Sequence, residues 1–467
     1  MPFLNYYKLA LRDYTKEFST NLKLALPVMT GSIGHLLVGL IDDIMVGSLG
    51  PIKLAATSLG NSLIFIAISI GIGFSFAITP LISESDGAND YKKGRLQFQH
   101  SMILMIALGF ILVMFLFLLE PILFHLKQPP EVVKLAIPYF EVVAISMFPM
   151  IVFQGLKQFT DGLSQTKYAM QATLITNVVN VALNFMLIYG WWIFPKMGIV
   201  GAAIGTLISR IVMVIFMLYI INSKKRFKPY LLLLKKQEIK KSIFKKIIKL
   251  GFPSALQMLF EVGVFTASIL LAGVIGAFPQ AANQIAIKMS ATTFMVSIGV
   301  GVATTIRVGN QKGLKRFKDL RRIAISNMLL IGIIMSVFTI LFMLLKNVLP
   351  LMFTKNEEVI NIAATLLIIA GVFQISDGIQ AIVLAALRGL QDVIVPTYIT
   401  FVAYWIIGFP ISYYLGLHTE LKTIGIWIGL LISLSLSALM LFFRFQYLSR
   451  KLIAHLPSSQ REETKLK

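Results

Sequence analysis

Uninterrupted apolar stretches of helix length dominate the chain, separated by short polar segments. They fall near 22–48, 53–82, 97–119, 133–156, 168–190 and 198–222. A second set falls near 248–276, 279–306, 323–345, 358–386, 394–416 and 424–448. About 20 apolar helical residues cross a bilayer's hydrocarbon core, whereas a barrel strand alternates polar and apolar positions over about ten. These runs are long and do not alternate. The pattern therefore predicts an all-α polytopic membrane protein with twelve transmembrane helices.

A repeat organises the pattern. LKLALP at 22–27 returns as IKLGFP at 248–253, an offset of 226. The same offset pairs Pro27 with Pro253, Gly47 with Gly273, Gly50 with Gly276, Gly73 with Gly299, Thr79 with Thr305, and Gly87 with Gly313. Chance does not sustain such a Gly/Pro skeleton without a gap. Six intervening helices preserve orientation, so the halves are expected to be parallel repeats about an axis along the membrane normal. The predicted organisation is a six-helix lobe over 1–222, a basic linker over 223–247, and a second six-helix lobe with a tail over 248–467. Two pseudo-symmetric lobes normally place a substrate path between them and rock to alternate access, which points to a transporter.

Composition narrows the class. Hydrophobic residues make up 57% and charged ones 14%, with mean hydropathy +0.81, against roughly 45–50% and ~25% in soluble chains. Soluble, disordered and fibrous classes are excluded. The net charge of +22 does not imply a nucleic-acid partner, because the basic residues lie between apolar spans rather than on one soluble module. The linker holds Lys224, Lys225, Arg226, Lys228, Lys235, Lys236, Lys240, Lys241, Lys245 and Lys246 against Glu238 alone. It reads as a solvated cytoplasmic segment, with a surface amphipathic helix as the alternative. Both termini are then cytoplasmic in an inner-membrane protein. The first apolar run is too long for a cleaved signal and is expected to remain as the first helix, behind Lys8, Arg12 and Lys16. Trp191 and Trp192 fit an interfacial belt. The absence of cysteine removes disulfides and thiol chemistry. No GxxxxGK[ST] or HExxH occurs and the five histidines are dispersed, so neither ATP hydrolysis, a metalloenzyme nor another enzyme is expected.

Candidate chemistry lies in polar residues within the spans. Asp42 and Asp43 fall in the first, Glu261 in the seventh and Asp377 in the tenth. A carboxylate at a helix centre costs about 2.5–3.5 kcal/mol, so it faces a watery cavity, pairs with a cation or takes up a proton. The alternative is a structural hydrogen bond to a neighbouring helix. Asn180 and Asn184, at i and i+4, share a face of the fifth span near Asn177, and Thr206 adds a hydroxyl from the sixth. With Asp42 they offer oxygens suited to a proton or a small hard cation; plain interhelical hydrogen bonding is the competing reading. Lys288, inside the eighth span, either neutralises or repels charge at the second-lobe acids, or snorkels along a wall. Arg210 is left open, and Arg307 is expected to contact lipid headgroups.

These residues resemble the multidrug and toxic compound extrusion (MATE) family. VGLIDDIMVGSLG at 38–50 is similar to its first-helix motif. The likeness continues in NFMLIYG at 184–190, GIVGAAIGTLISR at 198–210, IRVGNQKG at 306–313 and SDGIQAIVLAALRGLQD at 376–392. The resemblance implies antiport of cationic amphipathic molecules against Na+ or H+. It implies that Asp42 is the first-lobe acid, with Asn180, Asn184 and Thr206 as its polar neighbours. Glu261 and Asp377 correspond to the second-lobe pair of the NorM-like branch, with Na+ as a candidate ligand there. Asp43 stands where Thr is usual, and Lys288 where an uncharged residue is usual, which makes both candidate modulators. The implied partners are small organic cations and the bilayer, a monomer suffices, and no cofactor beyond the coupling ion is expected. The rivals are a lipid-linked oligosaccharide flippase of the same superfamily, which would favour a basic cavity, and a polytopic membrane transferase, which would need catalytic motifs in longer loops.

Overall fold

The computed structural model describes residues 11–126, 128–191, 193–231 and 236–455; Lys8, Trp192 and Lys235 lie outside the described residues. In chain order the helices are α1 (Leu11–Thr15), α2 (Phe18–Gly47), α3 (Pro51–Ser75), α4 (Ile78–Gly87), α5 (Tyr91–Leu119), α6 (Pro130–Gly162), α7 (Thr166–Tyr189) and α8 (Gly198–Ser223). They continue as α9 (Lys241–Ile275), α10 (Ala277–Gly313), α11 (Phe317–Leu345), α12 (Glu357–Gly389), α13 (Ile394–Phe401), α14 (Phe409–Leu417) and α15 (Thr423–Ala454). Among the described residues there are twelve helical spans long and apolar enough to cross a membrane. The protein is all-α, as its hydrophobic runs predict.

The repeat extends to backbone detail. The second span, Pro51–Gly87, and the eighth, Ala277–Gly313, have the same length at the same offset of 226. Turns that need a left-handed residue recur: Asn89 (φ 54°) and Lys315 (φ 59°) keep the offset of 226, while Ser164 (φ 61°) and Gln391 (φ 64°) stand 227 apart, one residue having been added between the two turns in the second half. Positive φ is uncommon outside glycine, so these pairs record one inherited path of the chain. Small residues recur where helices touch. A Cβ on Gly162 would stand 2.8 Å from Ile82 Cβ and 3.1 Å from the Thr79 carbonyl; one on Gly389 would stand 2.8 Å from Val308 Cβ and 3.1 Å from the Thr305 carbonyl. Thr79 donates to the Gln158 carbonyl at 3.0 Å, and Thr305 to that of Ala385 at 2.9 Å. Close approach at small residues, with hydroxyls bonding across, is how helices associate where no hydrophobic driving force acts between them.

Two compact units emerge, one of Leu26–Leu259 and the other of Met1–Ala25 with Phe260–Lys467. The first is built around Phe140, Phe159, Met147, Met105 and Ile82. The second is built around Phe373, Trp427, Tyr404 and Ala286, with the Trp427 indole donating to Asn283 Oδ1 at 2.8 Å. Helices α2 and α9 each contribute to both units, and each carries one member of the Pro27/Pro253 pair.

The charged segments at the helix ends are strapped down. Glu17 receives Arg307 Nη2 at 2.7 Å and Arg322 Nη2 at 2.9 Å, and Arg307 also reaches Asn21. Ser326 donates to the Tyr14 carbonyl at 2.6 Å. Arg307, expected at the headgroups, is thus held by an internal carboxylate, where several of its N–H donors find acceptors at once. In the linker, Phe227 and Tyr230 are fully buried beside Phe159, with ring centroids 5.9 and 5.5 Å away. Tyr230 also donates to Asp86 at 3.3 Å, and burial, followed by the Asp86 charge, raises its phenol above the ordinary range. Arg95 pairs with Glu238, and the Lys240 amide donates to His100 Nε2 at 3.1 Å. Between α8 and α9 the described residues form two short 3-10 turns, Lys228–Tyr230 and Lys236–Glu238, and the last seven residues of the expected linker, 241–247, are instead the first turns of α9.

Because Gly162 and Gly389 face the same kind of wall, Gly162→Val and Gly389→Val are expected to destabilise the protein by similar amounts. Overpacking costs about 1–3 kcal/mol, measurable as matched falls in the thermal midpoint of purified protein. A large cost at one position and none at the other would show that the repeat contacts are not equivalent.

Candidate functional sites in the two repeats

The first site is assembled on α2, α7 and α8. Helix α2 can lie close to α7 because its glycines face it: a Cβ on Gly34 would stand 3.1 Å from Leu174 and 3.2 Å from Asn177. The Asn177 amide donates to the Gly34 carbonyl at 2.8 Å and ties the two helices together. Two turns along α7, Asn184 Nδ2 donates to Asp42 Oδ1 at 2.7 Å and to Asn180 Oδ1 at 3.3 Å. Asn180 and Asn184 are buried and Asp42 half-buried. A hydrogen bond to a charged acceptor is worth about 1.5–3 kcal/mol, which fixes the carboxylate's orientation. Gly205 of α8 lies against Asn184 Oδ1 so closely that a Cβ would collide with it. That oxygen is buried and accepts no hydrogen bond among the described residues. The sequence-predicted set of Asp42, Asn180 and Asn184 is therefore one connected cluster.

Thr206 follows Gly205 and is half-buried; no hydrogen bond joins it to Asp42 or Asn184 among the described residues. Asp43 is exposed and acts on Asp42 through like charge. Arg210, one turn beyond Thr206, anchors its guanidinium on Ser146 Oγ at 2.7 Å and interacts electrostatically with Asp42. The arginine left open in the sequence is thus the internal counter-charge of this site.

The second site is assembled on α9, α12 and the span formed by α13 and α14. Glu261 is half-buried on α9 and Asp377 buried on α12, and their charges interact. Arg388, three turns beyond Asp377 on the same face of α12, acts on Glu261. Lys288 is exposed on α10, and the cation that acts on Glu261 is Arg388. Tyr404 completes the group: its hydroxyl donates to Gln380 Oε1 at 2.8 Å and its ring lies in the field of both carboxylates. Its placement depends on a π-helical stretch, Val402–Gly408, between α13 and α14. Pro410 explains that stretch, since it has no N–H and its ring clashes with the carbonyl four residues back, opening the helical ladder. The same widened turn presents Trp405, whose indole donates to the Phe260 carbonyl at 3.2 Å, beside Glu261. Gly263 leaves the room, since its Cβ would stand 2.7 Å from Trp405 Cζ2.

Sequence reasoning missed Arg388, Gln380 and Tyr404. Proline within the eleventh span was the available signal for Tyr404, and the i, i+3 spacing of Asp377 and Gln380 the signal for the glutamine. Nor are the two sites copies. The repeat offset places Ser268 at the position of Asp42 and His35 at the position of Glu261. Among the described residues no group of three or more Asp, Glu or His side chains is arranged to hold a metal ion.

A two-repeat bundle of twelve membrane-spanning helices, with carboxylates inside each repeat, defines a class of helical membrane transporter. The MatE family description matches residues 27–186 and 253–414, each segment starting at one of the repeat-paired prolines. The chain belongs to this family. It is 33% identical over 446 residues to the multidrug resistance protein NorM of Vibrio vulnificus strain YJ016, covering 94% of this chain and 98% of that protein. It is 31% identical over 448 residues to a probable NorM of Rhizobium meliloti, covering 95% and 96%. Among solved structures, the eukaryotic MATE transporter AtDTX14 superposes with TM-score 0.85 at 18% identity, over 94% of this chain and 99% of that one. An outward-facing multidrug resistance MATE transporter superposes with TM-score 0.86 at 23% identity, over 93% and 96%.

The steric dependence of the first site is testable by a double-mutant cycle. Gly205→Ala is expected to cost about 1–3 kcal/mol in the native background and much less beside Asn184→Ala, which removes the oxygen it strikes. Equal costs in both backgrounds would mean that Gly205 does not position Asn184.

Proposed function

We propose that this protein is a secondary multidrug exporter that expels cationic amphipathic molecules by alternating access in exchange for Na+ or H+. The observation that carries the proposal is the pairing of Glu261 with Asp377 within the membrane spans of a chain one-third identical, over nearly its whole length, to a multidrug resistance protein. Two carboxylates of one sign in a poorly solvated place repel each other, and any cation relieves that repulsion. An organic cation, Na+ and a proton then compete for the same negative charge. Competition of this kind is antiport in thermodynamic terms, because each ligand shifts the balance of states only by its differential affinity for them.

The two sites suit different ions. Glu261, Asp377, Tyr404 and Gln380 supply oxygens for a hard monovalent cation, with Arg388 as a fixed charge that returns when the cation leaves. Asp42, bonded by Asn184 and opposed by Arg210, has fewer oxygens available and suits a proton. No bond of the substrate is made or broken, so the chain acts as a carrier and not as an enzyme. The positive loop charge supports an inner-membrane protein with both termini in the cytoplasm.

Ethidium efflux from proteoliposomes under separate Na+ and H+ gradients tests the reading. Efflux is expected under at least one gradient. Glu261→Gln and Asp377→Asn are expected to reduce Na+-driven efflux about 5- to 150-fold, the range of a coupling free energy of about 1–3 kcal/mol. Asp42→Asn is expected to have its larger effect under the H+ gradient. Wild-type efflux from correctly folded Glu261→Gln and Asp377→Asn proteins would remove the second site from the mechanism.

A further inference from the structure

One face of α10 carries polar side chains at regular steps. Asn283, Ser290 and Ser297 follow one another at seven-residue intervals, which an α-helix brings to nearly the same side. None of the three is more than 8% exposed. Asn283 Nδ2, Ser290 Oγ and Ser297 Oγ make no hydrogen bond among the described residues. Across the seam on α12, Gln374 accepts the Thr293 hydroxyl through Oε1, while its Nε2 donates to no described group. The series reaches the second site, because Ser297 Oγ lies 3.4 Å from where a Cβ on Gly378 would stand, next in the chain to Asp377. We propose that the seam between α10 and α12 is a hydrated path by which the coupling cation reaches Asp377 from the Ala277 end of α10. The inference rests on the exchange with Na+ or H+ proposed above.

The first repeat supplies the comparison. With an offset of 226 on α10 and 227 on α12, Ser290 answers to Ile64, Ser297 to Gly71, Gln374 to Met147 and Gly378 to Ile151. Contacts follow this register: a Cβ on Gly71 would strike Ile151, just as one on Gly378 would meet Ser297. Ile64, Met147 and Ile151 belong to the apolar core of the first unit. The fold therefore closes this seam with hydrocarbon alone, and helix packing does not require polar groups in it. A buried polar group without a partner is costly, and water is what ordinarily satisfies such groups inside proteins. Bulk is also removed where Ile64 gives way to Ser290 and Ile151 to Gly378. From Asn283 to Ser297 the polar steps span about 21 Å at 1.5 Å per residue, and half-buried Gln280 lies one turn nearer the Ala277 end. The path leads to a pair of carboxylates, Asp377 with Glu261, which selects cations. Thr293 and Gln374 bridge its walls, so it passes water and a small ion but excludes an aromatic cation. Ion and drug then compete for Asp377 without sharing an entrance.

The chain has no cysteine, so one substitution introduces one thiol. Full-length Ser290→Cys, Ser297→Cys and Ile64→Cys proteins in liposomes are exposed to Ag+, a thiol-binding monovalent cation near Na+ in size, with no drug and no gradient. Surviving thiol is counted with a fluorescent maleimide after denaturation. Ser290→Cys and Ser297→Cys are expected to lose their thiol signal, and Ile64→Cys, the first-repeat counterpart of Ser290, to keep it. If Ser297→Cys lacks the wild-type thermal transition, Ser290→Cys alone carries the test. Retained signal in folded Ser290→Cys overturns the proposal, and so does equal loss in Ile64→Cys, which would show entry without a seam. The readout does not involve export. Thiol loss without ethidium efflux supports the seam and counts against the exporter; ethidium efflux with intact thiols does the opposite.

Discussion

Everything in this protein follows from a solvent that cannot hydrogen-bond. In the hydrocarbon core each backbone N–H and C=O must find its partner within the chain, which leaves helices as the building unit for apolar runs of this length. Helices in that medium gain nothing from hiding leucine from lipid, so they associate where backbones approach and polar groups cross. Gly162 against Thr79, Gly389 against Thr305, and Gly34 against Asn177 are such places. At Gly162 and Gly389 a Cβ would stand 2.8 Å from a β-carbon of the neighbouring helix, and at Gly34 it would press on the Leu174 and Asn177 side chains. At each a threonine or asparagine of the contact spends its polar group on a neighbouring helix.

The same constraint explains why the scaffold is symmetric and the chemistry is not. Turn geometry and helix contacts are costly to change, and they recur in both halves down to matching positive φ angles. A polar side chain within a span changes at lower cost provided something nearby satisfies it. Asp42 therefore has an asparagine partner in one half where, among the described residues, Ser268 in the other bonds within its own helix, at 2.7 Å to the Phe265 carbonyl. The second half has gathered Glu261, Asp377, Arg388 and Tyr404 instead. Divergence of the two sites gives one protein two kinds of negative charge to offer.

Charged residues outside these sites are organised rather than merely solvated. Glu17 holds two arginines, and Asp86 and Glu238 hold two more. Phe227 and Tyr230 sink the linker's aromatic side chains into the end of the first unit. Such straps set the linker's path along the unit of Leu26–Leu259.

The sequence by itself determined the number of spans, the repeat and which acids lie within the spans, because hydropathy, a Gly/Pro skeleton and ionisable residues in apolar runs are all one-dimensional signals. Asn180 and Asn184 were legible too, since i, i+4 spacing places them on one face whatever that face meets. Only the tertiary structure decided who their partners are. That Asn184 bonds Asp42, that Arg210 and Arg388 act on carboxylates of other helices, and that Arg307 meets Glu17 rather than lipid depends on residues far apart in the chain. Tyr404 is the clearest case. A π-helical turn ahead of Pro410 rotates it toward Gln380, and a rotation of that kind changes which face a residue occupies without changing hydropathy at all.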